Sequence, residues 1–235
     1  MSLETSIRAN LDSVRDRIRR AAGRAGRDAS SVRLVAISKT FGADHVRAAA
    51  AAGQVDFGEN RVQEALQKMA ETAELRIRWH LVGHLQSNKA RRAATAFAAI
   101  QSVDGLELLE RLDRAAADAG AAPDVLIQVD LAKEATKFGA PLDEARRLVD
   151  AAATCRAARL AGLMLLPPFL DDVEAVRPYF ARLRDLRDEL VATGTPPALL
   201  HELSMGMSHD FEVAIEEGAT IVRVGTAIFG GRPPA

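Results

Sequence analysis

Cysteine, tryptophan and tyrosine each occur once in this chain of 235 residues, and lysine only five times. A lone Cys155 has no intramolecular partner, so no disulfide can staple the fold. With no His or Cys close by in its Ala-rich stretch, it also gives no sign of a structural zinc site. It reads as a packing residue of a reducing compartment. No apolar run approaches the roughly 18 residues of a membrane span, and the N-terminus opens on an amphipathic pattern instead of a signal-peptide core. The expectation is a soluble, cytoplasmic protein with no membrane partner. The formal net charge is −1 with acids and bases interspersed, so there is no basic footprint for phosphate backbones and nucleic acid is not expected as a partner. Also missing are a GxGxxG after the first strand-like run and a GxxxxGKS/T anywhere, which removes the dinucleotide fingerprint and the nucleotide P-loop.

The scarcity of lysine points somewhere. Of 31 basic residues 26 are arginine, leaving lysines only at 39, 68, 89, 133 and 137. Surface charge is therefore carried by arginine. Arginine cannot lose its proton to become a nucleophilic amine, whereas lysine can, so imine chemistry with a carbonyl is open to these five positions alone. Scattered surface lysines are the alternative reading.

After an N-terminal amphipathic helix with Ile7, Leu11, Val14 and Ile18 on one face, short β-branched runs alternate with helical patterns. Eight such runs are predicted, at 32–38, 54–59, 79–83, 98–103, 125–131, 160–166, 199–203 and 220–224. Asn60 with Gln63, Asp104 with Glu107, and Asp171 with Glu174 look like capping boxes between them, and Pro141 opens another helix. Eight parallel strands with crossover helices predict an α/β fold, a single (β/α)8 TIM barrel. The N-terminal helix supplies the eighth helical slot. No linker or repeat divides the chain, so one domain, 1–235, is expected.

Active sites of such barrels are built where the strands end, which directs attention to residues just past each run. Lys39 follows the first run, at the rim of the mouth, where partial desolvation would lower its pKa; a capping or surface lysine is the competing reading. The ends of strands seven and eight form the recurrent phosphate site of this architecture. There, Ser204, Gly206 and Ser208 lie in one segment and Gly225 and Thr226 in the other, offering hydroxyls and close backbone approach. Ser208 as a plain helix cap and Gly225 as a tight turn explain them equally well. Arg223 interrupts an apolar last strand and should meet an anion, a ring acceptor or a neighbouring acid. Asn60 is a candidate cofactor contact or merely a cap. His80 and His84 could line the mouth, although satisfied core or cap groups explain them, and Lys137 reads as a loop lysine that could offer a second amine or an anion contact.

An imine-forming lysine facing a phosphate cradle describes pyridoxal 5′-phosphate (PLP), but also a sugar-phosphate aldolase that forms an imine with its substrate. Five stretches carry a resemblance that separates them: VAISKT at 35–40, FGENRVQE at 57–64, WHLVGHLQSNK at 79–89, LSMGMS at 203–208 and VRVGTAIFG at 222–230. In this order and spacing they resemble the pyridoxal phosphate homeostasis protein family, and the likeness spans essentially the whole chain.

The resemblance implies a barrel like the N-terminal domain of alanine racemase, with PLP held as a Schiff base on Lys39. It further implies contacts from Asn60, Ser204, Gly206, Ser208, Arg223, Gly225 and Thr226. Family members are regarded as regulators of vitamin B6 and amino-acid pools without an established catalytic activity. The implied function is holding PLP, with apo PLP-dependent enzymes as candidate recipients, and a monomer is expected. The alternative is a PLP-dependent amino-acid racemase. Racemisation needs an acid or base on each face of the substrate, and alanine racemase takes its second, a tyrosine, from a β-domain. No β-domain is read here, and the single Tyr179 is expected in a helix away from the strand ends.

Overall fold

The computed structural model describes residues 2–132 and 138–231. Helix α1 (Leu3–Arg24) begins at Ser2, whose hydroxyl accepts the Thr5 N–H, and it buries Ile7, Leu11, Val14 and Ile18, the face its spacing predicts. The strands are β1 (Arg33–Ile37), β2 (Asp56–Glu59), β3 (Arg78–Leu81), β4 (Ala99–Val103), β5 (Asp124–Val129), β6 (Arg159–Leu165), β7 (Glu202–Met207) and β8 (Ile221–Val224). All neighbours are parallel, and β8 pairs back onto β1, which closes an eight-stranded barrel in sequence order. Around it lie α2 (Ala43–Ala51), α3 (Val62–Glu71), α4 (Ala90–Ala96), α5 (Leu106–Ala119), α6 (Leu142–Ala152), α7 (Arg177–Ala192), α8 (Phe211–Glu216) and the four-residue α9 (Thr226–Phe229). The (β/α)8 expectation is met.

The slot left by the short α9 is filled by α1. Asn10 Nδ2 donates to the Ile228 carbonyl at 2.8 Å, while Arg17 and Arg24 pair with Glu212 and Glu216 of α8 at 2.9 and 2.7 Å. No helix among the described residues is long and apolar enough to cross a membrane.

Strand alternation sorts side chains into two cores. Leu81, Ile100, Val125, Leu163, Leu203, Val222 and Val224 pack outward under the helices. Val35, Ile37, Val82, Leu126, Ala161, Met164 and Ile221 form a separate inner cluster. Parity then places Asp56, Gly58, His80, Gln101, Ser204 and Arg223 on the inner face. Gly58 confirms the geometry: a Cβ there would sit 2.4 Å from Ile37 and 3.0 Å from Val35, inside the lumen.

Two sequence expectations are corrected. The seventh strand runs from Glu202 to Met207, not over 199–203, because Pro196 and Pro197 set up a 3-10 turn through Leu199 and the true strand carries polar residues inward. Ser204 and Gly206 therefore belong to β7 itself, not to a loop. Nor are Asn60 and Asp104 helix caps: the N-cap positions of α3 and α5 are Arg61 and Gly105, and neither helix has a side-chain cap. Near Asp171, it is Asp172 that accepts the Glu174 N–H at 2.9 Å, just ahead of the 3-10 turn that leads into α7.

Candidate functional site

Lys39 directly follows the first strand and Ser38, is half-buried, and shares the parity of the inward-facing Val35 and Ile37. The next residue, Thr40, has φ 71°, a left-handed conformation that costs a β-branched residue about 1–3 kcal/mol, so the turn needs outside support. Glu64 provides some by accepting the Thr40 N–H at 2.7 Å. Phe41 then packs against Phe229 of α9 with ring centroids 5.4 Å apart and the planes tilted by 33°, which brings the turn beside the segment after β8.

That segment touches the first strand directly. Gly225 packs so closely that a Cβ would lie 3.3 Å from the Ile37 carbonyl oxygen. Ser208 joins it from the end of β7: its Oγ accepts the Gly225 N–H at 3.1 Å and the Ala227 N–H at 3.4 Å. Ser208 is thus not the helix cap; Asp210 holds that position and accepts the Met207 N–H at 2.6 Å. Gly206, at φ 91°, has a packing reason of its own, since a Cβ would come within 2.6 Å of Ala214 and 2.8 Å of Phe211 on α8. Thr226 is exposed at the first position of α9.

Arg223 lies across from Val35 in the register of β8 with β1, is 3% exposed, and points into the lumen. Its Nη1 donates to Ser204 Oγ at 2.6 Å and its Nη2 to the Leu165 carbonyl at 2.7 Å. Among the described residues it makes no ion pair, and burial pulls its pKa down to about 10 against the pull of Asp210. The Ser204 hydroxyl donates to Gln101 Oε1 at 2.6 Å, and Gln101 Nε2 lies 3.1 Å from His80 Nδ1. With that nitrogen accepting, His80 is the Nε2–H tautomer and donates to Asp56 at 2.9 Å. Asp56 in turn takes two bonds from Arg78 at 2.8 and 2.7 Å. A one-directional chain of hydrogen bonds therefore crosses the lumen from Arg223 to the foot of the barrel.

Asn60 sits half-buried just past β2, against Gly83, whose added Cβ would fall 2.3 Å from the Asn60 carbonyl oxygen. His84 pairs with Asp104 at 3.3 Å and stacks on Phe138 at 3.7 Å, lining the rim. Lys137 lies outside the described residues. Tyr179 stands in the first turn of α7, beside a cleft shared with Asp130 and Leu131 just past β5. It is thus closer to the strand ends than expected, but on the outer flank between α6 and α7.

Several contributors escaped the sequence reading. Lys68 is not a surface lysine but a buried one, and Gln101 and Asp56 join His80 in the lumen. A polar residue inside an apolar strand was the usable signal for Gln101, the same that singled out Arg223.

The family described as alanine racemase, N-terminal domain, matches residues 9–233. The pyridoxal phosphate homeostasis protein of Pseudomonas aeruginosa is 45% identical over 97% of this chain and 96% of its own length. This chain belongs to the pyridoxal phosphate homeostasis protein family. Among solved structures, PipY of Synechococcus elongatus with PLP bound is 40% identical, at a TM-score of 0.85 over 95% of this chain and 100% of that one. Alanine racemase from Streptomyces coelicolor matches at a TM-score of 0.73 with 24% identity, covering 97% of this chain and 58% of the racemase, which shows a common barrel fold.

Proposed function

We propose that this pyridoxal phosphate homeostasis family member binds PLP at the carboxyl end of its barrel and acts as its carrier. Lys39 would hold the cofactor aldehyde as a Schiff base, its amine adding to the carbonyl with loss of one water. Ser208, Gly225 and Thr226 would hold the phosphate, with Gly206 and Ser204 supporting from β7, while Asn60 and Arg223 would hold the ring. The observation that carries this reading is Arg223: a guanidinium buried in the lumen on the strand paired with the one that leads to Lys39, hydrogen-bonded to a hydroxyl and a carbonyl and to no acid among the described residues. Such a group fits an uncharged acceptor atom on a ligand better than a structural ion pair does. PLP when bound supplies an electron-withdrawing ring; the chain's own residues bind, orient and shield it.

In this reading the protein turns over no substrate and hands PLP to apo PLP-dependent enzymes, working as a monomer in the cytoplasm, with 1–235 as one domain. Support against racemisation comes from Tyr179, whose place on the outer flank of α7 leaves it outside the lumen.

The test is to add PLP to the purified protein, record the visible spectrum, reduce with borohydride and map the labelled peptide, with Lys39→Ala as control. A band that is fixed on the Lys39 peptide and vanishes in the variant is expected. Label spread over other lysines, or no band, overturns the assignment.

A further inference from the structure

Lys68 lies on α3 with its side chain only 7% exposed. Its ammonium donates to three oxygens: the Ser38 carbonyl at 2.7 Å, Glu59 Oε1 at 2.7 Å and Glu64 Oε1 at 2.8 Å. All three of its hydrogens are therefore used. Two of these acceptors reach further. Glu64 Oε1 also accepts the Thr40 N–H at 2.7 Å, and Glu59 Oε1 also accepts the Ser38 hydroxyl at 2.6 Å. One buried ammonium thus ties the carbonyl before Lys39 directly and the amide after it through a single carboxylate.

The cluster does this from behind the barrel wall. Glu59 alternates with the inward Gly58, so it faces the helix layer, and Lys68 meets it there from α3. Glu59 is fully buried, and its second oxygen, Oε2, has no hydrogen-bond partner. Such an arrangement is costly to bury and contributes nothing to the lumen's own packing. What it holds is the turn around Lys39, including the sparsely populated left-handed Thr40.

We propose that Lys68 is a positioning residue for Lys39: with Glu64 and Glu59 it clamps the 38–40 turn so that the Lys39 amine is presented to the aldehyde of PLP. The inference rests on the Lys39 reading above. Attack on a carbonyl carbon tolerates little misplacement, and a displacement of about 1 Å can slow such a step about 100-fold. Binding of ring and phosphate alone makes no such demand.

The experiment compares wild type, Lys68→Met and Glu64→Ala with two ligands, PLP and pyridoxine 5′-phosphate, which carries an alcohol in place of the aldehyde and forms no imine. In Lys68→Met the imine band is expected to appear about 10- to 100-fold more slowly, while affinity for pyridoxine 5′-phosphate stays near that of wild type. Glu64→Ala, which releases the Thr40 amide but leaves Lys68 paired with Glu59, should show the same split to a smaller degree. It decides the matter should Lys68→Met not fold. Wild-type imine rates in the variants, or an equal loss of both ligands, would overturn the clamp. Wild-type protein labelled elsewhere than Lys39 overturns the Lys39 reading itself, an outcome distinct from failure of the clamp alone.

Discussion

The Nη1 of Arg223 lies 2.6 Å from the Oγ of Ser204 on the neighbouring strand, with both groups buried in the lumen. Ser204 is simultaneously an acceptor for Arg223 and a donor to Gln101, so its hydroxyl sets the direction of the whole chain that ends at Asp56.

Ser204→Ala should therefore leave one Arg223 hydrogen and the Gln101 oxygen unpaired in the barrel. A loss of about 2 kcal/mol in stability is expected from stranded buried polar groups. If the freed guanidinium also drifts from its ligand, PLP affinity should drop roughly tenfold, equivalent to about 1.4 kcal/mol. Denaturant titration and spectrophotometric PLP titration read the two effects separately.

Asp56 makes acid stability a test of the same chain. Burial pushes its carboxyl up, but the hydrogen bonds from His80 and Arg78, together with the guanidinium's charge, outweigh this and hold it below the ordinary carboxylate range. With the folded-state pKa depressed, its stabilisation is fully present above the unfolded value of about 3.9 and is lost as pH falls through the folded one. Asp56→Asn should be less stable than wild type at neutral pH, with the gap narrowing on acidification below about pH 4. A gap independent of pH, measured by thermal melts across the acid range, would refute the assignment.

Gly162 on β6 approaches β7 so closely that a Cβ would overlap the Glu202 carbonyl oxygen at 1.8 Å. Because the obstacle is backbone, Gly162→Ala must push β6 and β7 apart. A destabilisation of about 3 kcal/mol is expected, visible as a melting temperature lower by roughly 6–12 °C.

Cys155 is half-buried beside Asp113, and burial together with that carboxylate pushes its thiol up to about 11. Measured from an ordinary value of 9.0, the thiolate is roughly 100-fold scarcer at neutral pH. Alkylation by iodoacetamide should be correspondingly slow in the folded protein and reach ordinary rates in denaturant.

Tyr179→Phe should leave PLP binding unchanged. Incubation of wild type with PLP and L-alanine in deuterium oxide should give no exchange at the α-carbon; exchange that the Phe variant abolishes would restore the racemase reading.

Much of this molecule could be read before folding. Strand number, helix alternation and the N-terminal helix's inward face follow from period-2 and period-3.6 patterns, which are local. Lys39 and Arg223 stood out because a scarce amine at a strand end and a charge inside an apolar strand are anomalies of composition and position. The seventh strand was misplaced for the opposite reason: its inward residues, Glu202 and Ser204, are polar, so the apolar Leu199 and Leu200 beside them drew the prediction. Only the closed barrel decides which distant polar groups meet. Lys68 and Glu64 share a helix, but no periodicity shows that they reach Ser38 and Thr40, some 24 to 30 residues away. Likewise Ser204 and Gln101 are 103 residues apart and hydrogen-bond because strand parity turns both inward. Sequence by itself determined most of the elements and singled out Lys39 as the candidate amine, since periodicity and an anomalous residue at a strand end are read along the chain. Tertiary structure decided how that amine and the buried guanidinium are held, because buried polar groups must find partners across the barrel.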